Sequence, residues 1–355
     1  MLFSSVKKVL YPPEGTLPRR SYILFSVVMA VYNGEEYLKE AIDSILHQTY
    51  KDFEFIIVND GSSDKTREIL NLIEDNRVRV IHLEENKGLA NALNIGIQNA
   101  KGQWIVRQDA DDVSYPHRIM EQANHLKSHP DVILLGSHIK CFSGRQSVSN
   151  NILKIVENYH NGLVNRADLR RERFNGCPLS HGSCTFLKEA FFRAGQYDPK
   201  YEIVQDYDLW LRMFELGEVD IVPQVLYKYR FSMNSLSHNN QLNFGNELNV
   251  ISIKYIRKQC FRDHKKKPVF LVMGPHKARE NFIKNICPNI EIKLYDYVYN
   301  KLVDYCDEAY QLFQEGKVHG IIVMGHRGDD KIVDLLQTKG MEFNQNLFKL
   351  TNFIQ

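Results

Sequence analysis

Short apolar runs alternate with amphipathic segments from residue 25 onward. The runs FSVVMAV, FEFIIVND, VRVIHL and QWIVRQD are separated by segments in which apolar residues recur at helical spacing, over about residues 35–48, 65–75 and 90–100. Strands that are apolar on both faces and alternate with helices are typical of a parallel sheet covered by helices on each side. The pattern therefore predicts an α/β domain whose ligands bind at the carboxyl ends of the strands.

The pattern changes after residue 130 and restarts after residue 268. Residues 130–240 mix strand-like and helical pieces and end in VDIVPQVLYKYRF, which resembles closing strands of the same domain. The later runs PVFLVMG, IEIKLYD, VHGIIVMG and LFKLT alternate with predicted helices over 277–286, 300–315 and 329–338. We therefore predict an N-terminal extension (1–24), a large α/β domain (25–245), a charge-rich helical linker (246–267) and a small Rossmann-like α/β domain (268–355).

The turns of the small domain do not carry a complete nucleotide-binding motif. MGPHK and MGHRGD each place one Gly at a tight turn but lack the full G-x-G-x-x-G signature of dinucleotide-binding proteins. We expect a structural or interaction module.

The composition excludes several classes of protein. Lys and Arg total 45 against 43 Asp and Glu, a net charge of +2 that is too balanced for a nucleic-acid binder. The six cysteines show neither metal-ligand spacing nor a disulfide framework, which fits reduced thiols in the cytoplasm. The first 25 residues lack the apolar run of a signal peptide, and no segment reaches the roughly 18 apolar residues of a membrane span. We expect a cytoplasmic protein, at most peripheral at the inner face of a membrane.

Polar residues follow each of the first four predicted strands. They are Tyr32 and Asn33, then Asn59 and Asp60, then residues 86–88, and finally the string DADD at residues 109–112. Because the carboxyl ends of parallel strands meet at one edge of a sheet, these residues should line one crevice.

The string DADD is the strongest indication of a metal site. Carboxylates this close together repel each other unless a cation lies among them. Mg²⁺ and Mn²⁺ prefer oxygen ligands, and substrate phosphates often complete their coordination. A solvated acidic loop or a helix cap is the alternative.

The residues at the tips of the first two strands could contact a nucleoside. In VNDGSSD, Ser63 and Asp64 can cap the next helix, but capping does not explain Asp60, which could accept hydrogen bonds from a base or a ribose. The ring of Tyr32 could stack on a base, with a buried core Tyr as the alternative.

Five strings together resemble one enzyme family. In their order along the chain they resemble the inverting glycosyltransferases of family 2, which have the GT-A fold. The strings are SVVMAVYNGEEYLKEAIDSILHQTY, EFIIVNDGSSDKT, NKGLANALNIGIQNAKGQWIVRQDADD, YPHRIMEQ and VQDYDLWLRM. The resemblance covers about residues 25–235. It implies a Rossmann-like, mostly parallel sheet, a nucleotide-diphosphate sugar as donor, Mn²⁺ or Mg²⁺ as cofactor, and a glycan, lipid-linked or protein acceptor. A homo-oligomer is also possible.

The resemblance assigns the donor-binding residues. Tyr32 would stack on the base, usually uracil in this family, and Asp60 would hydrogen-bond to it. Asn91 would close the loop that lines the base pocket, although many relatives have an Arg near the end of this loop, where this chain has Leu93.

The resemblance also assigns the metal site. Asp109 and Asp111 match the family's DxD motif, with Asp109 near the ribose or the metal and Asp111 as the principal metal ligand. Whether Asp112 joins the metal ligands stays open.

The string VQDYDLWLR matches the position of the catalytic base. Relatives often have Glu-Asp here, whereas this chain has Gln205 before Asp206, so the neighbouring acid is lost and the base position is kept. A helix N-cap is the alternative role for Asp206, and Trp210 is expected in the core or as an acceptor platform.

Two further residues are assigned from their place in the family pattern. His181, in CPLSHGSCTF, would lie near the reacting carbon, with a structural His as the alternative. Arg230, in YRFSMNSLS, would pair with the diphosphate, with a surface Arg on a loop as the alternative.

The resemblance implies a single displacement in which Asp206 takes the proton of the acceptor hydroxyl and the anomeric configuration inverts. Such families chiefly build bacterial surface polysaccharides. The alternatives are a nucleotidyltransferase, which would favour a basic, Gly-rich loop where this chain has AVYNGEEY, and a nucleotide-sugar-binding regulatory protein without turnover.

Overall fold

The computed structural model of the protein describes residues 25–232, 241–275, 291–294, 302–325 and 330–351, together with Phe282. The described residues form two compact units. The first consists of residues 25–169 and 179–232, and the second of residues 170–178 and the described residues from 241 onward. The predicted extension over 1–24 and, apart from Phe282, the predicted helix over 277–286 lie outside the described residues.

The first unit alternates strands and helices as the apolar pattern predicts. In chain order its elements are β1 (Phe25–Val31), α1 (Leu38–Leu46), β2 (Phe53–Asn59), α2 (Thr66–Asn71), β3 (Val78–His82), α3 (Leu89–Asn99), β4 (Trp104–Arg107), β5 (Val113–Ser114), α4 (Arg118–Ser128), β6 (Val132–Ser143), α5 (Asn150–Asn161), α6 (Arg166–Glu172), a 3₁₀ turn (His181–Ser183), β7 (Thr185–Leu187), α7 (Lys188–Arg193), α8 (Gln205–Phe214) and β8 (Glu218–Phe231). The last residues of α6 belong to the second unit.

The strands form one eight-stranded sheet in the order β3-β2-β1-β4-β7-β6-β8-β5. The first four are parallel, β7 is antiparallel to both of its neighbours, and β8 runs parallel to β6. Every residue of β1 and β2 is buried, which explains why these strands are apolar on both faces. The α/β fold with a mixed, mostly parallel sheet is therefore confirmed.

The long strand β8 places the acidic loop. Register shifts along its pairing with β6 occur around His138, and such irregularities bend a sheet. Near its carboxyl end, β8 pairs with the two-residue strand β5 through Tyr227 and Lys228. Because β5 directly follows residues 109–112, this pairing fixes the far end of the acidic loop.

The second unit contains a four-stranded parallel sheet. Its elements are α9 (Gln241–Cys260), β9 (Val269–Met273), β10 (Glu291–Leu294), α10 (Leu302–Gln314), β11 (Gly320–Gly325), α11 (Lys331–Thr338) and β12 (Leu347–Thr351), and the strand order is β10-β9-β11-β12. Its core includes Leu271, Ile321, Val333 and Leu347.

Helix α9 occupies most of the predicted linker. It begins at Gln241, and its residues Leu248, Ile251, Tyr255 and Ile256 are buried. The spacing of these residues places them on one face of the helix, so α9 is a packed element of the second unit. Among the described helices, none is both long enough and apolar enough to cross a membrane.

Candidate active site

The loops that follow β1 and β2 are joined by hydrogen bonds. The backbone N–H of Asn33 donates to Oγ of Ser62 at 2.9 Å, and the N–H of Ser63 donates to Oδ1 of Asn33 at 2.9 Å. Asn33 adopts a φ of 50°, in the left-handed region that Asn tolerates better than most residues. The tips of the first two strands therefore form one continuous edge.

Asp60 extends this edge to the loop after β3. Its side chain is almost fully buried, and its two carboxylate oxygens accept hydrogen bonds from the backbone N–H groups of Lys87 (2.8 Å) and Gly88 (3.0 Å). Gly61 has a φ of 68°, and a Cβ there would lie 2.4 Å from the carbonyl carbon of Glu85, so this tight approach requires glycine. Asp60 thus shapes the predicted base pocket, and its contact with a base stays a prediction.

Tyr32 and Asn91 lie at the same edge. Tyr32 is 51% exposed, which rules out the buried core position and leaves its ring open for stacking. The amide of Asn91 donates to the carbonyl oxygen of Lys87 at 2.8 Å, so in this structure it stabilises the start of α3. The predicted contacts of both residues with a nucleotide are untested.

The acidic loop is held in place by a buried guanidinium, a tyrosine hydroxyl and a backbone N–H. The guanidinium of Arg107, which is fully buried, contacts Oδ1 of Asp109 at 2.5 Å. The N–H of Asp109 donates to the hydroxyl of Tyr227 at 3.1 Å, and the N–H of Arg230 donates to Oδ1 of Asp112 at 2.6 Å. Asp112 is almost fully buried, so it supports the loop from inside and leaves Asp109 and Asp111 at the surface.

The acidic loop carries a charge that the protein only partly neutralises. Asp111 is open to solvent, but protein atoms crowd its carboxyl group, and this desolvation together with the charge of Asp109 raises its pKa to about 6. Burial, followed by the charges of Asp111 and Asp109, raises the pKa of Asp112 well above its usual value. A cation beside Asp111 would remove this penalty, which is the electrostatic condition for a metal site.

Arg230 is a buried support of the acidic loop. It lies on β8 and is only 7% exposed, so it is not a surface Arg on a loop. Its Nε donates to the carbonyl oxygen of Asp111 at 2.6 Å, another guanidinium nitrogen pairs with Glu40, and the rings of Tyr37 and Phe142 lie 4.0 and 4.3 Å from it. The predicted pairing with a diphosphate remains untested, and it would compete with the pairing to Glu40.

His181 lies in a network with Arg107 and Tyr197. Its Nε2 accepts a hydrogen bond from Nε of Arg107 at 3.3 Å and lies 2.8 Å from the hydroxyl oxygen of Tyr197. Burial and the charge of Arg107 lower the pKa of His181 well below its usual value, so the ring is neutral. Its predicted place near the reacting carbon stays a prediction.

Asp206 lies in the first turn of α8, close to this network. Its Oδ1 accepts the backbone N–H of Tyr207 at 2.8 Å, and its side chain is partly exposed. Burial and the nearby charges of Asp206 and Asp109 together raise the pKa of Tyr197, whereas Arg107 lowers it. The charges of both carboxylates therefore act on the same buried tyrosine.

The residues around Asp206 are mostly buried. Trp210 is fully buried and contacts the ring of His181 at a centroid distance of 6.0 Å, so it belongs to the core and is not an exposed acceptor platform. Gln205 is also buried, and its Oε1 makes no hydrogen bond within the described part of the chain. The Gln205 amide thus stands where relatives often have a Glu, and its oxygen has no hydrogen-bond partner among the described residues.

Sequence reasoning missed the buried residues beneath the loop. Arg118, at the start of α4, donates to Oγ of Ser114 at 2.9 Å and to the carbonyl oxygen of Arg107 at 2.8 Å. Gln108 binds the carbonyl oxygens of Asp109 and Asp112, both at 3.0 Å. The available signal was a charged residue, Arg107, at the end of an apolar strand, since buried charges are almost always paired.

Comparison with known proteins identifies the family. The sequence model of Glycosyl transferase family 2 matches residues 26–195. An uncharacterised glycosyltransferase of Rickettsia typhi is 33% identical over 239 residues, which cover 66% of this chain and 72% of the relative. The chain belongs to glycosyltransferase family 2. The match includes β1, β2 and the acidic loop and ends before α8, so residues 109–112 lie inside the family region and Asp206 lies outside it.

A second relative has a named role. The amylovoran biosynthesis glycosyltransferase AmsE of Erwinia amylovora is 29% identical over 245 residues, which cover 66% of this chain and 87% of the relative. In eight of the relatives that match, the shared region makes up between 32% and 87% of the relative's own length.

A solved structure confirms the fold that is expected of family 2. Residues 1–349 of TarS from S. aureus, solved in complex with UDP, superimpose with a TM-score of 0.50 and 16% identity over 83% of each chain. At this identity the likeness concerns the fold alone. The predicted GT-A architecture is confirmed.

Proposed function

We propose that the protein is an inverting, metal-dependent glycosyltransferase that moves a sugar from a UDP-sugar to a hydroxyl acceptor in the synthesis of a bacterial surface polysaccharide or glycoconjugate. The observation that carries the proposal is the acidic loop, in which Asp111 faces solvent with a raised pKa. The loop shares one sheet edge with Tyr32 and Asp60. Membership of family 2 supports transfer of a sugar, and the role of AmsE in amylovoran biosynthesis supports the class of product.

The residues present fit a divalent cation. Asp111 and Asp109 offer carboxylate oxygens, which are the donors that Mn²⁺ and Mg²⁺ prefer. Asp111 would be the principal ligand, since Asp109 already contacts Arg107. When bound, the ion would neutralise negative charge on the departing diphosphate.

The donor would lie along the edge formed by the first strands. Tyr32 would stack on the uracil base, and Asp60 and Asn91 would line the base pocket. His181 would contribute to the sugar side of the site and Arg230 to the diphosphate side, because both help to hold the acidic loop in place. The complex of TarS with UDP supports uridine as the nucleoside of the donor.

Asp206 would be the general base. The acceptor oxygen would attack the anomeric carbon and form the new C–O bond, while the bond from that carbon to the diphosphate oxygen breaks and Asp206 takes the hydroxyl proton. One displacement inverts the configuration and requires no covalent sugar–enzyme intermediate. The buried Tyr197, on which the charges of both Asp206 and Asp109 act, supports this role.

Calorimetric titration with UDP and GDP tests the metal and donor assignments. UDP should bind in the presence of Mn²⁺, and its affinity should fall by about a hundredfold or more in EDTA or in the variant Asp111→Asn, because metal–phosphate contacts contribute several kcal/mol. Asp52→Asn is the matched control, since Asp52 is exposed and precedes β2, at the opposite end of the strand from the site.

The outcomes separate the alternatives. Metal-independent binding of UDP, or full affinity in Asp111→Asn, would contradict the metal site. Tighter binding of GDP would contradict the choice of uridine. Binding of UDP-sugars without any hydrolysis or transfer would support the regulatory alternative.

A further inference from the structure

A dense cluster of positive charge covers the end of α9 and the segment after it. We call this the α9 basic surface, and it consists of Lys254, Arg257, Lys258, Arg262, Lys265, Lys266 and Lys267. All of these residues are exposed except Arg257, which is partly exposed. Residues 254–267 contain seven basic residues and one acid, Asp263, and so carry a net charge of +6, although the whole chain carries only +2.

Four of these basic residues lie around the last turns of α9. Lys254 and Lys258 are four residues apart on one face of the helix, and Arg262 follows two residues after the helix ends at Cys260. Together with Arg257 and Phe261 they line an open cavity of about 310 Å³. The opposite face, which includes Ile251 and Ile256, is buried in the second unit.

Helix stabilisation explains only part of this charge. Basic side chains in the last turn of a helix interact favourably with its dipole, and this accounts for Arg257 and Lys258. Lys265, Lys266 and Lys267 lie beyond the helix, where that effect has faded. Among the described residues, no acidic side chain forms an ion pair with these three lysines or with Arg262.

We propose that the α9 basic surface binds the anionic headgroups of a phospholipid bilayer and so docks the protein on a membrane. Clusters of four to eight basic residues on a helix are typical of segments that bind anionic lipid. Nucleic acid fits less well, because single-stranded binding sites use exposed aromatic rings, and Tyr255 and Phe261 are buried. No large apolar side chain of residues 254–267 is exposed, so the binding is electrostatic. The inference does not rest on the proposed function.

Sedimentation with lipid vesicles tests the proposal on the full chain. The protein should bind vesicles of phosphatidylcholine mixed with phosphatidylglycerol and should not bind vesicles of phosphatidylcholine alone. Binding should weaken steadily as salt is raised from about 0.1 M to about 1 M, since the Debye length falls from about 10 Å to about 3 Å.

A triple substitution locates the surface. Lys265→Gln, Lys266→Gln and Lys267→Gln together should reduce partitioning by about a hundredfold, at about fivefold per lysine. The matched control replaces Lys51, Lys101 and Lys154 by Gln, which removes the same charge from exposed positions elsewhere. The control should bind the vesicles almost as the wild type does. Circular dichroism should show an unchanged melting temperature for both variants.

Three results would overturn the proposal. An equal loss in both triple variants would mean that net charge alone drives the binding. Equal binding to neutral vesicles would point to an apolar contact. Binding to RNA or duplex DNA that is tighter than to anionic vesicles at the same ionic strength, and that is lost in the Lys265–Lys267 variant, would assign the surface to nucleic acid.

Discussion

At the scale of single residues, the three Asp side chains of the string DADD lie in three different environments. Asp109 contacts the buried Arg107, and Asp112 is buried and accepts the N–H of Arg230. Asp111 has an exposed side chain, and Arg230 contacts its carbonyl oxygen. Differences in environment therefore assign different roles to identical side chains. The sequence predicts that the string is special, whereas the structure shows which of its carboxylates is exposed and which ones support the loop.

The raised pKa of Asp111 predicts that the ionised carboxylate, which would bind the metal, lowers the folding stability of the metal-free protein. Its pKa in the folded protein is about 6, against 3.8 for an ordinary aspartate, so the unfolded chain gives up this proton first as the pH rises. Folding stability should therefore fall between about pH 4 and pH 6 and stay reduced above that interval. Asp111→Asn removes the charge and should raise the melting temperature of the metal-free protein at about pH 8, with a smaller gain near pH 5.

Thermal unfolding in EDTA, followed at both pH values, measures this difference. Mn²⁺ should then raise the melting temperature of the wild type but not of Asp111→Asn. Asp52→Asn is again the control and should show no pH-dependent gain. A variant that is less stable than the wild type at about pH 8 would show that Asp111 contributes a structural contact, which would contradict the assignment.

At the scale of elements, the apolar pattern predicts most of the first unit. The strands β1, β2 and β4 follow from continuous burial, and the polar residues at their ends lie together because parallel strands share one carboxyl edge. Two features could not be predicted in this way. The network of Arg107 depends on His181 in the 3₁₀ turn and on Tyr227 in β8, which are distant in sequence. The charge-rich pattern of α9 concealed an apolar face at helical spacing.

The first turn of α8 carries the prediction about the catalytic base. In Asp206→Asn the remaining carbonyl oxygen can still accept the N–H of Tyr207, which Oδ1 accepts at 2.8 Å in the structure. The helix should therefore form normally, while the group that accepts the proton is lost. We expect sugar transfer to fall by about a hundredfold to ten-thousandfold with UDP affinity unchanged.

Turnover and UDP affinity should be measured on the same preparation, with slow hydrolysis of UDP-sugars as the assay until an acceptor is known. Glu202→Gln is the matched control, because Glu202 is exposed just before α8. Near-normal turnover in Asp206→Asn would place the base elsewhere. Loss of folding or of UDP affinity would instead favour the capping role.

At the scale of the whole molecule, the second unit is assembled from two distant parts of the chain. Residues 170–178 belong to it, and Asn175 accepts a hydrogen bond from the hydroxyl of Thr351, at the end of β12, at 2.7 Å. Phe174 packs against Phe348 in the same unit. All proposed donor, metal and base residues lie in the first unit. A loss of stability in the second unit should therefore leave the affinity for the donor unchanged.

A double-mutant cycle on Asn175 and Thr351 tests this separation. Both side chains are buried, so each single variant removes this buried hydrogen bond and should lower the free energy of unfolding by about 1–3 kcal/mol, and Asn175→Ala should cost more because it also removes the hydrogen bond to Glu172. The double variant should lose less than the sum, with a coupling of about 1 kcal/mol, because the residues contact each other. Affinity for UDP with Mn²⁺ should match the wild type in all three variants. A fall in affinity that follows the loss of stability would show that the second unit helps to form the donor site, which the assignment of every ligand to residues 25–232 does not allow.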